Sequence, residues 1–279
     1  EATSRGSGLF IGQSTGTAGN IRHYGLENEM AIRFNNGNRL FVDGFTQDNW
    51  RIGVIRNFAG ADYGEYEGFV DGVYQAEASS NSAGDTPSTV DDLFYIGAGL
   101  DGSGFFSSGR FFDGDMAEVI AYNTYLNNAQ INIVNNYLST KYGLPVSIDL
   151  YAHDASYGED VAGIGREAID TLHTAAMSAN ILLLRNAQDL DDDEYLLFGH
   201  NGDTLGTWVN AELPAGSIRR MAREWRVDET GDVGELNVSI DTAYLPAKPA
   251  EYNNYVLLVD TDNDFSSGAA VYSMTVVDG

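Results

Sequence analysis

Glycine breaks this chain into short pieces before any of them reaches the length of a long helix. The 279 residues hold 32 glycines and only 5 prolines, and the apolar runs between them, Tyr255 to Val259 among the longest, are strand-sized. A chain punctuated in this way, with 16 tyrosines and 13 phenylalanines, reads as many short strands joined by tight turns. No run approaches the roughly 20 apolar residues that a membrane-spanning helix needs.

Strand signals follow one another from Gly8 to about Gly114. Leu9-Phe10-Ile11 is a first apolar piece. Met30 to Phe34 alternates, Asn36-Gly37 is a hairpin turn, and Arg39 to Val42 is the returning strand. Trp50, Ile52 and Val54 alternate with Arg51, Gly53 and Ile55. Glu67 to Tyr74 carries a second hairpin signal at Asp71-Gly72. Leu93 to Ile96 is a short strand, Leu100 to Arg110 a Gly/Ser-rich loop, and Gly114 to Tyr122 reads as a buried strand. One segment is helical. Asn127 or Asn128 caps it, Ile131, Val134, Leu138 and Tyr142 form a stripe, and Gly143 followed by Pro145 ends it. Strand-like pieces then resume: Val161 to Ile164, Ile181 to Leu184, Tyr195 to Phe198, Met221 to Val227, Leu236 to Ile240, Tyr255 to Val259 and Val271 to Val277. The reading is an all-β chain of two β-sandwich, jelly-roll-like domains, residues 1–146 and 147–279, with one helix at the end of the first.

Charge narrows the partners. Forty-one acidic residues against 15 basic ones give a net charge of −26. Such a chain repels phosphate backbones and anionic membrane surfaces, which argues against nucleic acid as a partner. It suits salty surroundings or divalent cations. No cysteine is present, so disulfides and thiolate metal sites are excluded, and the composition is compatible with export. The chain opens on polar residues without the apolar core of a leader, which reads as a removed leader or an internal piece of a longer chain.

The first half resembles the laminin-G-like, concanavalin-A-like jelly-roll family. The residues that carry the likeness are Trp50-Arg51-Ile52-Gly53-Val54, Glu67-Gly68-Phe69-Val70-Asp71-Gly72, Phe94-Tyr95-Ile96-Gly97, and Phe112 to Asn123 running into the helix that ends Tyr137 to Gly143. The second half resembles an uncharacterised β-sandwich domain that follows such jelly rolls in bacterial secreted and cell-surface proteins. It matches at Asp160 to Arg166, Glu194 to Gly202, Arg223 to Asp232 and Leu257 to Phe265. The resemblance implies an adhesin-like parent, and it implies strands before the first residue and after Gly279, supplied by a longer chain or by a neighbour.

Asp260, Asp262 and Asp264, alternating beyond a strand, offer hard oxygens to calcium, although the EF-hand spacing is absent. Asp113 and Asp115 form a second candidate cation pair. Asp189, Asp191, Asp192, Asp193 and Glu194 read as a solvated acidic loop. His23, His153, His173 and His200 lack zinc spacing, and His200, before Asn201-Gly202, suits turn hydrogen bonding. Tyr63, Tyr66, Phe105 and Phe106 lie in Gly-rich segments where aromatic faces can stack on sugar rings or fill the core. Arg219, Arg220, Arg223 and Arg226 gather positive charge around Trp225. They are expected to pair with carboxylates, with a ligand carboxylate or sulfate as the alternative. Neither the paired carboxylates of jelly-roll glucanases nor a nucleophile or phosphate-loop motif occurs.

These readings converge on a non-catalytic module pair of a bacterial secreted or cell-surface protein, for adhesion or surface assembly. Calcium would stabilise it, and a glycan or protein ligand would bind. A structural subunit of an extracellular filament or layer, sharing strands with other copies of itself, is the alternative. A carbohydrate-active enzyme or its accessory domain is a third.

Overall fold

The computed structural model describes residues 7–12, 21–26, 29–34, 39–43, 49–58, 65–79, 94–100, 106–111, 114–216 and 219–277. Strands dominate, in several antiparallel sheets, with one long helix near the middle of the chain. The chain divides into two compact units, Glu1–Asp149 and Leu150–Gly279. Among the described residues no helix is long and apolar enough to cross a membrane.

In the first unit β1 (Ser7–Gly12), β2 (Ile21–Leu26), β3 (Glu29–Phe34) and β4 (Arg39–Asp43) form an antiparallel meander. β5 (Gly53–Phe58), β6 (Glu65–Val70) and β7 (Val73–Ser79) form a second sheet. β8 (Phe94–Ile96) joins the first sheet beside β1, and β9 (Ala98–Leu100) pairs with β10 (Phe106–Phe111). The Met30 hairpin is present, with Met30 opposite Val42. At the second hairpin Asp71 (φ +49°) and Gly72 (φ +80°) take the left-handed conformations a two-residue turn requires. Asp71 also receives the Ile52 amide at 2.9 Å and Arg51 at 2.7 Å.

Helix α1 (Asn128–Tyr142) begins with a reciprocal cap between Asn127 and Gln130 and ends on left-handed Gly143, as its sequence signals require. Its buried face differs from the expected stripe. Ala129, Ile131 and Ile133 are buried together with Asn132, Asn135 and Asn136, whereas Tyr142 is exposed. Asn136 is tolerated there because its amide donates to the carbonyls of Asn132 (2.9 Å) and Ile148 (2.8 Å). The segment from Gly114 to Tyr122 also departs from expectation. It is irregular and mostly exposed, with Ile120 and Tyr122 facing solvent. Side chains rather than a strand ladder hold it to α1: Glu118 accepts from Lys141 and Tyr142, both at 2.9 Å. Likewise, the Leu100 to Arg110 stretch, expected to be a loop, contributes strand β10.

The second unit is a sandwich. The short helix α2 (Asp154–Tyr157) precedes β11 (Glu159–Ala168), β12 (Thr171–His173), β13 (Ala175–Ser178), β14 (Leu182–Arg185) and β15 (Glu194–His200). Then come β16 (Trp208–Val209), β17 (Arg220–Met221), β18 (Trp225–Thr230), β19 (Asn237–Ile240), β20 (Tyr255–Val259) and β21 (Ala270–Met274). One sheet runs β12-β11-β15-β18 and the other β13-β14-β19. Between them Ile164, Ala176, Leu182, Leu184, Leu196, Phe198 and Val233 form the core. β15 is buried on both faces, because Tyr195 and Leu197 point away from that core yet are also covered. The alternating glycines of β11 make this possible. Gly163 lies opposite Leu197 and Gly165 opposite Tyr195, and a Cβ on Gly165 would stand 2.1 Å from the Tyr195 ring.

Candidate functional site

Five stretches of the second unit meet around an open cleft of about 820 Å³, within the range of small-molecule sites. They are the turn and helix at 152–157, the turn after β15 at 201–203, the end of β16 and the turn after it at 209–212, the β17 region from 220 to 226, and the loop after β20 at 261–263. Tyr151 pins the first of these. It is 2% exposed, and its hydroxyl donates to the Tyr157 carbonyl at 2.9 Å, with the Arg226 carbonyl at 3.3 Å. Burial pushes its phenol well above the ordinary tyrosine range, so it remains a donor.

The second wall is set by His200 and Asn201. His200 is 3% exposed. Its Nδ1 accepts the Gly202 amide at 3.0 Å, which leaves the proton on Nε2 to face Asp160 Oδ2 at 3.1 Å. The turn role expected of this histidine is the one it plays. Asn201 Oδ1 accepts the amides of Asp203 (3.1 Å) and Glu224 (3.3 Å), which ties the turn to β18's approach.

Arg220 frames the far side. It reaches Glu224 at 2.7 Å and Glu212 at 2.6 Å, donates to the Ala211 and Met221 carbonyls, and lies over the Phe265 ring. This is the carboxylate pairing expected of the arginine cluster. The other cluster members differ. Arg223 donates to the Asp203 carbonyl at 2.8 Å. Arg226 donates through Nε to His153 Nε2 at 3.3 Å and through Nη1 to the Thr261 carbonyl at 3.5 Å. Tyr157 bridges the middle: its hydroxyl meets Glu224 Oε2 at 3.2 Å and bonds Asn263 Oδ1. Burial first, and then the Glu224 charge, raise its pKa, so it too stays protonated.

The 260–264 loop is one wall of this cleft, through Asp262 and Asn263. Its carboxylates are engaged locally. Asp260, Asp262 and Asp264 accept the amides of Asp262 (2.8 Å), Asp264 (3.1 Å) and Ser266 (3.0 Å) in three successive turns. The Asp262 amide lowers the Asp260 pKa, and Asp260 in turn raises that of Asp262; bonds to Ser266 lower Asp264. Asp115 is exposed on the irregular segment before α1. Asp113, Tyr63 and Phe105 lie outside the described residues. Tyr66 and Phe106 are strand residues of β6 and β10 whose side chains lie outside them. Among the described residues, no three acidic or histidine side chains converge as a metal site would require. The acidic run at 189–194 is structural: Arg166 meets Asp192 at 2.7 Å, and Glu194 accepts the amides of Asp191 (2.8 Å) and Asp232 (3.1 Å).

Sequence reading singled out Asp262 and the arginines but not Tyr157, Glu224 or the role of His153. The cleft is assembled from stretches as far apart as the 106 positions that the Tyr157–Asn263 bond spans. No curated protein and no solved structure matches the chain. A family model described as a domain of unknown function (DUF8202) matches residues 130–279, which covers the whole of the cleft. With more than half of its length matched, the chain belongs to the DUF8202 family.

Proposed function

We propose that the chain is a non-catalytic module pair of a bacterial secreted or cell-surface protein, serving adhesion or surface assembly by holding a glycan or protein ligand. The observation that carries this reading is the cleft of the second unit. Its acidic, basic and hydroxyl groups are bonded largely to one another: Glu224 to Arg220 and Tyr157, Glu212 to Arg220, and His153 to Arg226. Groups held this way offer a stiff, polar surface for recognition. The net charge of −26 and the likeness to bacterial surface modules support an extracellular setting.

The test is a glycan and matrix-protein array probed with the full chain and with Ala155→Trp. Ala155 is exposed on α2 and lines the cleft, so the indole fills the recess without touching the core. The reading expects a bound ligand that the variant loses and that is recovered intact. Release of reducing ends from the bound glycan would instead favour the carbohydrate-active enzyme. Calcium belongs to the reading as a stiffener of the 260–264 loop, where main-chain carbonyls and water would have to complete its oxygen shell.

One observation favours a second reading, a filament or layer subunit that shares strands. β20 and β21 pair only with each other among the described residues. Val271 and Tyr272 are exposed on β21, and each strand of a two-stranded sheet is an edge that can template another strand. Concentration-dependent assembly seen by light scattering, abolished by Tyr272→Lys, would support it.

A further inference from the structure

We infer that the cleft of the second unit recognises the carboxylate of an acidic saccharide through Arg226; this rests on the binding-module reading above. Arg51, Arg56, Arg166 and Arg220 each meet a carboxylate, whereas Arg223 and Arg226 of the arginine cluster donate to neutral acceptors. Arg226 faces the cleft without one among the described residues. Its Nε and Nη1 spend themselves on a neutral ring nitrogen and a carbonyl, and its Nη2 donates to no described residue. Both of those contacts leave the charge uncompensated while fixing the plane of the guanidinium. The end of the guanidinium, Nη2 with the remaining hydrogen of Nη1, is the partner that a planar carboxylate fits with two parallel bonds.

Neighbouring groups extend the donor set. Arg226 Nε uses the lone pair of His153 Nε2, which places the ring proton on Nδ1. Tyr157 occupies the Asn263 carbonyl oxygen, which leaves the amide NH₂ of Asn263 to donate. Asn263 itself is held at φ +71°, an uncommon conformation for a residue with a side chain. Of the four acids that line the cleft, Glu212 and Glu224 are taken by Arg220, and neither Asp203 nor Asp262 forms an ion pair with Arg226. Elsewhere the lining mixes acceptors such as Asp203 and Asp262 with short side chains at Ala152, Ala155 and Ala222. Hydroxyl-rich rings need that combination of donors, acceptors and flat apolar floor, and a cleft of about 820 Å³ has room for more than one of them.

The experiment is calorimetric titration of the full chain with hexagalacturonate and with its methyl-esterified form, repeated with Arg226→Gln after circular dichroism confirms the fold. The inference expects the acid form to bind at least tenfold more tightly than the ester. It expects Arg226→Gln to lose about tenfold to a hundredfold for the acid, the range for a bond between charged groups, and with it most of the preference for acid over ester. Equal affinity of the unmodified chain for acid and ester, which needs no variant, would overturn the carboxylate assignment and leave the binding module standing. Failure of both oligomers to bind would also overturn it. Cleavage of either oligomer would sink the binding-module reading instead.

Discussion

Tyr151→Phe removes one oxygen from the base of the cleft, and the structure sets the size of the effect. The ring is 2% exposed, so phenylalanine fills the same space and the cavity left is no larger than a hydroxyl. What is lost is hydrogen bonding. The Tyr157 carbonyl loses its donor at 2.9 Å, and the Gly199 backbone, which bonds the same hydroxyl, loses its partner. Leaving a buried polar group unsatisfied costs about 1–3 kcal/mol. With the two groups named, the cost is about 2–6 kcal/mol, a large share of the roughly 5–15 kcal/mol that holds a domain folded. With an m value of about 2 kcal/mol/M, the urea midpoint of the second unit's transition should fall by about 1–3 M at unchanged slope. Tryptophan fluorescence reads that transition, because Trp208 and Trp225 lie in this unit. Ligand affinity should weaken as well, since the same hydroxyl fixes the turn that carries His153 and Tyr157. A midpoint shift below about 0.3 M would refute the reasoning, since a missing hydroxyl would then have been replaced by water at no cost.

Further expectations concern other parts of the molecule. Burial lowers the His200 pKa below its ordinary 6.5, more than Asp160 raises it; the folded state therefore prefers the neutral ring, its contribution is complete above about pH 6.5, and it is lost as pH falls below that value, which urea titrations from pH 7.5 to 5 should show and His200→Gln should flatten. Gly165→Ala should destabilise by about 1–3 kcal/mol or more through the 2.1 Å clash with Tyr195, and adding Tyr195→Leu should cost less than the two changes summed; strict additivity in thermal melts would contradict the clash. Asn135, 2% exposed in α1, has no hydrogen-bond partner on either amide atom among the described residues, so Asn135→Leu should raise the first unit's stability by about 1 kcal/mol; a loss would reveal a polar partner or an ordered water there. Millimolar calcium should raise the melting temperature and Asp262→Asn should remove that rise; identical melts in calcium and in chelator would end the calcium proposal.

How much of this was legible in the sequence depends on whether the signal was local. The Asn127 cap, the Gly143 stop and the Asp71-Gly72 turn are decided by a few adjacent residues, and each is where the sequence places it. The Gly114 to Tyr122 stretch had the right apolar pattern for a strand, but a strand needs a ladder partner, and none is found among the described residues. The buried face of α1 was misjudged because Asn132, Asn135 and Asn136 read as polar, whereas burial of Asn136 depends on carbonyls reached through space. Gly163 and Gly165 read as punctuation, and their purpose emerges only with Leu197 and Tyr195 opposite. The cleft was the least legible feature. The arginine cluster could be seen in the sequence, but which of its members would lack a carboxylate depends on Glu212 and Glu224 both turning to Arg220.

The most direct test of the cleft as the ligand site is hydrogen–deuterium exchange of the full chain with and without hexagalacturonate at saturation. The account predicts slowed exchange at 152–157, 201–203, 209–212, 220–226 and 261–263, with the first unit unchanged. Protection confined to the first unit, or none anywhere while calorimetry reports binding, would contradict it.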